Sequence, residues 1–221
     1  MQTFHTPAPV TTTIDIPAGR LQIIAADRTD TTVEIRPADP ARNRDTKAAE
    51  QIEITHDGDT LRITAPHAKN QYFGPSGAVE ITIRLPAGSH LRATAAATEF
   101  RAVGRLGTID LQGAHGPVKI DEAASIRLTA TDSDITVGRL TGPADISTHK
   151  GDITLTEALT GPLVLTTQMG DITLATAASA TLDAGTSYGR IHNTLKNTHG
   201  TDAPLTIRAT TTHGDITARS L

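Results

Sequence analysis

Beyond residue 100 the chain falls into short apolar pairs two residues apart, set among polar residues rich in threonine. One series is Val118/Ile120, Ile135/Val137, Ile153/Leu155 and Ile172/Leu174. A second, lying midway between, is Ile109/Leu111, Ile126/Leu128, Ala144/Ile146, Leu163/Leu165, Ala180/Leu182 and Leu205/Ile207. An i, i+2 pair points both side chains to one face of an extended strand, so each pair predicts a short strand with one buried side. The positions that open the first series, 117, 134, 152, 171, 190 and 215, are 17, 18, 19, 19 and 25 residues apart. A period near 18 residues holding two strands is too short for a helical repeat and predicts an all-β fold, a flattened β-solenoid.

The same spacing brings a written phrase back: KGDITL at 150–155, MGDITL at 169–174 and HGDITA at 213–218. Stacked coils place equivalent residues one strand spacing apart, roughly 4.8 Å, so the columns follow from the alignment. One holds Gly116, Ser133, Gly151, Gly170, Gly189 and Gly214, which predicts a corner whose backbone opposes a β-carbon. The other corner carries Gly142, Pro143, Gly161 and Pro162, with Leu106, Leu140 and Leu159 plugging the core at the bend. Segment 195–204, LKNTHGTDAP, lengthens the last step and predicts a loop extruded from one corner.

The first hundred residues alternate as well, in TTTIDIPAGRLQIIAAD, TTVEIRP, QIEITHDGDTLRITAP and AVEITIRLPAG, with turns at 17–19, 56–59 and 86–88 and a hairpin across HDGD. Two irregular polar stretches, 39–51 and 67–78, interrupt them, and RNRDTKAAEQ reads as a solvated loop or one helical turn. This region, 1–100, reads as a sheet or sandwich-like cap on a solenoid at 101–221. The boundary falls near 95–101, and the two are continuous as one structural unit.

Composition narrows the partners. Lys plus Arg number 20 against 24 Asp plus Glu, a net charge of −4 with no basic run. Nucleic acid and anionic membranes are recognised through concentrated positive charge, so neither is an expected partner. Cysteine is absent and no two of the nine histidines have ligand spacing, so no thiolate or zinc site is expected, and no cofactor. The start MQTFHTPAPV has neither a basic n-region nor an apolar run, and a cytoplasmic location is expected. Aromatic residues are 2% of the chain, which suits a core of stacked aliphatics.

The phrases IDIPAG (14–19), IRLPAGS (83–89), VGRL (103–106 and 137–140) and the GDIT copies resemble the bacterial putative-adhesin domain, a β-solenoid family mostly of unknown function. The resemblance spans nearly the whole chain. It implies a bacterial all-β binding or scaffold module, and it brings no catalytic residues to transfer.

Candidate binding residues are those the columns align. Asp134, Asp152, Asp171, Arg190 and Asp215 form an acidic column in which Arg190 falls between Asp171 and Asp215. Each carboxylate either accepts from turn N–H groups or joins in holding calcium. Two positions earlier lie His115, Asp132, Lys150, Met169, Tyr188 and His213, a mixed column in which Tyr188 and His213 can meet across one coil. Tyr72 and Phe73, in the loop at 67–78, form either a binding surface or a lid over the first coil. Thr136, Thr154, Thr173 and Thr217 give one flat polar face.

These features favour a non-enzymatic binding or scaffold protein whose solenoid face meets a protein partner or a second copy. The alternative is an enzyme acting on a carbohydrate or small polar metabolite near Tyr188, Arg190 and His213. The last repeat strand ends close to Leu221 with no cap after it, which predicts a tail-to-tail homodimer through the coil at 215–219, holding Asp215 and Arg219.

Overall fold

The computed structural model describes residues 1–66 and 77–221. In chain order the elements of the N-terminal part are β1 (Gln2–His5), β2 (Thr11–Ala26), β3 (Asp30–Pro37), α1 (Asn43–Glu50), β4 (Glu53–Asp57), β5 (Thr60–Thr64), β6 (Val79–Pro86) and β7 (His90–His115). There follow β8 (Val118–Asp132), β9 (Ile135–Leu140), β10 (Ala144–Lys150), β11 (Ile153–Ala158), β12 (Gly161–Met169), β13 (Ile172–Thr176), β14 (Ala180–Tyr188), β15 (Ile191–Thr194), β16 (Leu205–His213) and β17 (Ile216–Ser220). No described helix is long and apolar enough to cross a membrane.

The alternation seen in the sequence is the alternation of burial. In β10 and in each half of β8 buried and outward residues alternate, with a step of three on either side of Ala123 at the bend, and the two apolar series face one another across a narrow core. Each coil contributes one strand to either face, so the chain is a flattened β-solenoid. Ile135, Ile153 and Ile172 stack on one face, as do Val137, Leu155 and Leu174, all in parallel register. On the other face the column runs Leu111, Leu128, Ile146 and Leu165. At the bend the plugs are Leu106, Ala123, Leu140 and Ala158. Leu159, expected in that place, is only half-buried, because Ala158 occupies the register position opposite Leu140.

The parallel stack begins before the GDIT phrases. Residues 11–16 of β2 pair with β7 and β5, and residues 19–26 pair with β7 and β6 on the opposite face. Outside these, strand direction reverses: β3 lies antiparallel to β6 with β1 antiparallel to β3, and β4 lies antiparallel to β5 across the expected HDGD hairpin. The polar stretch at 42–51 forms the two-turn helix α1. Its Asp45 is buried at 3% exposure and accepts the Ala78 N–H at 3.0 Å, tying the helix to the strand it precedes in space.

At the C-terminal end the coils are not stacked in chain order. β16 pairs with β12 on one side and β14 on the other, and β17 pairs with β13 and β15. The last coil of the sequence is thus inserted between the two coils that precede it, and β14 and β15 form the outermost layer. Segment 195–204 is a connecting loop at the corner, exposed over residues 196–202. It turns through a short 3-10 helix at Gly200–Asp202 and returns to the inner level, held where Thr198 and Ser179 bond at 2.9 Å and where the Gly161 N–H donates to the Pro204 carbonyl at 2.9 Å.

The inward positions give the physical reason. The coil of β16 and β17 turns Leu205, Ile207, Ala209, Ile216 and Ala218 into the core, all fully buried. The coil of β14 and β15 offers Ala180, Leu182, Ala184, Ile191 and Asn193 in the same columns. An amide buried in an apolar column without a partner costs about 1–3 kcal/mol. As the outermost coil, Asn193 stays exposed and its side-chain oxygen accepts the Leu195 N–H at 2.9 Å.

Two expectations are corrected by this order. The coil at 215–219 is paired on both sides and offers no free strand edge for tail-to-tail contact. Leu163 is aligned with Ile207, not with Leu205, which lies opposite Gly161 and Ala180.

Candidate functional site

The glycine corner explains the repeated phrase. A β-carbon at Gly151 would sit 2.2 Å from the Ser133 carbonyl oxygen, and one at Gly170 would sit 2.1 Å from that of Gly151. The backbone there has φ of +120° and +152°, which side chains rarely adopt. Behind each glycine stands a threonine that the alternation did not single out, buried at Thr167 and Thr211 and half-buried at Thr186. Thr167 donates to the Gly151 carbonyl, Thr211 to Gly170 and Thr186 to Gly214, each at 3.0 Å. Both features bring successive rungs together and satisfy a carbonyl that would otherwise be buried unpaired.

The acidic column is assembled, in a different order from that expected: Asp134, Asp152, Asp171, Asp215 and last Arg190. The Asp134 carboxylate accepts the Asp152 N–H at 3.0 Å, Asp152 accepts that of Asp171 at 2.7 Å, Asp171 that of Asp215 at 2.7 Å, and Asp215 that of Arg190 at 2.8 Å. Each side chain therefore supplies the acceptor for the next rung's turn amide, the Asp-in-turn role. Arg190 does not lie between Asp171 and Asp215. It ends the ladder, and its guanidinium reaches the second Asp215 oxygen at 3.4 Å.

The mixed column runs His115, Asp132, Lys150, Met169, His213 and Tyr188 in space. Lys150 approaches Asp132 at 4.0 Å. Tyr188 and His213 do meet, their rings stacked with centroids 4.9 Å apart and planes 11° apart. Face-to-face stacking turns the ring edges away from one another, so this contact is a platform rather than a proton-transfer pair. Tyr188 is 70% exposed and Ile191 46%, which puts exposed apolar surface on the outermost coil, and Met169, two rungs in, is 45% exposed. Tyr72 and Phe73 lie outside the described residues.

The outward threonines Thr136, Thr154, Thr173 and Thr217 occupy consecutive rungs in register. On the opposite outer face the side chains alternate in charge: Arg92, Asp110, Arg127 and Asp145, then Val164, Arg208 and Asp183. Sequence reading did not mark this column, because its members occur one per coil and differ in type. The outward position between two apolar partners was the signal available.

No curated protein matches the chain in sequence. Among solved structures, it is similar to a putative cell adhesion protein from Clostridium sporogenes, at 13% identity and a TM-score of 0.38, covering 100% of this chain and 98% of that one. It is also similar to a putative adhesin from Bacteroides fragilis, at 13% identity and a TM-score of 0.45, covering 100% and 95%. A family model spans nearly all of the sequence, residues 12–220, and by that match the chain belongs to the Toastrack DUF4097 family.

Proposed function

We propose that this is a non-enzymatic binding or scaffold protein that presents a polar, repetitive solenoid face to a protein partner, and that copies associate with one another through the open coil of β14 and β15. The observation that carries the reading is the register of Thr136, Thr154, Thr173 and Thr217, which makes a straight row of identical side chains along the stack. Such a row offers the same chemistry at four successive rungs, with Lys119 and His192 at its two ends, as a recognition surface for an extended partner requires.

The open coil supports the self-association. Among the described residues β14 pairs only with β16 and β15 only with β17, which leaves a row of backbone donors and acceptors on each. Tyr188, Ile191 and Arg190 border that edge, residue types that anchor interfaces. Mass measured by light scattering over a concentration series tests the reading. The wild-type chain is expected to reach the mass of two chains, while Ile191→Lys and Tyr188→Ser each restore a single-chain mass without lowering the melting temperature. A wild-type mass of one chain at high concentration overturns the association.

A further inference from the structure

The outer face opposite the threonine row holds a cavity of about 680 Å³, within the range of small-ligand sites. It extends along the stack from β2 to β12, so its length crosses the strands instead of following them. Its charged column is unevenly satisfied. Arg92 pairs with Asp110 at 3.6 Å, and beyond the cavity Arg208 pairs with Asp183 at 3.2 Å. Between these pairs Arg127 and Asp145 are neighbours in register and both exposed, and among the described residues neither has an ion pair within 4.0 Å. The next rung places Val164, 38% exposed, where a further arginine would continue the alternation.

The chemistry of this cavity selects a class of ligand. Two arginines and two aspartates leave it with no net charge, so it has no field to concentrate an acidic or a basic polymer. Strands such as β8, β10 and β12 are paired on both sides, so the cavity has no backbone edge onto which a peptide could add its amides. Recognition must come from side chains alone. Those present are a guanidinium that only donates, a carboxylate that only accepts, and hydroxyls that do both, with Ser125 and Thr108 bonded at 3.0 Å along the same wall. The exposed rings of Pro143 and Pro162 lie beside Val164 and add an apolar strip. Donors, acceptors and an apolar strip in one groove match a sugar, which has a hydroxyl rim and a C–H face. A ribbon of β-1,4-linked hexoses advances by close to one strand spacing per residue, so successive sugars meet successive rungs.

We infer that this cavity is a binding site for a neutral, extended oligosaccharide lying along the solenoid axis, held by Arg127 and Asp145 over Val164. The inference rests on the non-enzymatic binding reading and adds to it a second ligand, a sugar, on the face opposite the threonine row.

The test titrates the full chain, labelled for NMR, with cellohexaose, chitohexaose and maltohexaose, and follows both amide shifts and the sugar's integrity. At least one is expected to shift amides of β8, β10 and β12, with Arg127→Gln and Asp145→Asn each weakening binding by about tenfold or more and leaving the melting temperature unchanged. The Ile191→Lys variant is expected to bind as the wild type does. No shift with any of the three at about 5 mM, or shifts confined to the threonine face, overturns the site and leaves the non-enzymatic reading intact. Tighter binding of a hexagalacturonate or of an extended peptide in the same cavity overturns the ligand class. Cleavage of a bound sugar overturns the non-enzymatic reading while the site stands.

Discussion

At the N-terminal end strand direction reverses: β3 lies antiparallel to β6 and β1 antiparallel to β3 on one face, β4 lies antiparallel to β5 on the other, and α1 packs beside them. At the C-terminal end β14 and β15 continue the parallel direction and simply stop. The first end is closed by charged and polar edges. In β4 the exposed positions are Glu53, Thr55 and Asp57, and at the start of β3 Arg28 donates to the two Asp30 carboxylate oxygens from Nε and Nη2, each at 2.9 Å. The second end exposes Ile191 and Tyr188 beside unpaired backbone. A solenoid edge that ends in charge resists pairing with another chain, and one that ends in Tyr and Ile invites it. The contrast is why the proposed association is assigned to one end of the molecule only.

Substitutions at glycines separate the packed interior from the open coil most sharply. Gly170→Ala forces a β-carbon against the Gly151 carbonyl and is expected to cost about 3 kcal/mol or more in urea unfolding. Gly185→Ala on β14 meets nothing within 4 Å and is expected to change stability by under about 0.5 kcal/mol. Equal losses at both would mean that the outermost coil is packed as tightly as the inner ones.

A smaller effect tests the acidic ladder. Asp171→Ala removes the acceptor of the Asp215 N–H at a solvent-accessible corner and is expected to cost about 1 kcal/mol, whereas Asp171→Asn, which keeps a side-chain oxygen, is expected to be near neutral. A ladder that held a cation would lose comparable stability in both variants.

The smallest effect lies at the closed end. The hydrogen bond from Arg28 holds the Asp30 carboxyl below its ordinary value. Because the folded value is the lower one, the associated stability is present above the unfolded carboxyl's pKa, about 4, and fades as pH falls through the folded value. An NMR titration should place Asp30 below an aspartate's ordinary value, and Arg28→Met should raise it toward that value. An unmoved midpoint would remove the ion pair from the account of this edge.

Much of this architecture was legible because burial repeats with the coil. The i, i+2 pairs fixed both faces, and the glycine column fixed one corner. The reversed order of the last two coils also left traces. KGDITL, MGDITL and HGDITA are consecutive in space, whereas YGRIHN, the least similar copy, is outermost. Asn193 in an otherwise apolar column marks the coil that cannot be interior. Reading the columns strictly in chain order hid this, because a 25-residue step looks like an extruded loop whether the chain returns above or below the preceding coil. The buried threonines Thr148, Thr167 and Thr211 were hidden for another reason: one residue type serves both as outward surface and as carbonyl donor inside. The cavity around Arg127 and Asp145 depends on which charges find partners, and pairing distances are not written in a repeat.

The inserted coil is the claim on which the open end, the ladder order and the association all depend. Methyl-labelled NOE spectroscopy tests it directly, since rungs one step apart bring methyl groups within reach and rungs two steps apart do not. The account predicts cross-peaks from Ile216 to both Ile172 and Ile191 and none between Ile172 and Ile191. A cross-peak between Ile172 and Ile191 with none between Ile172 and Ile216 would contradict it.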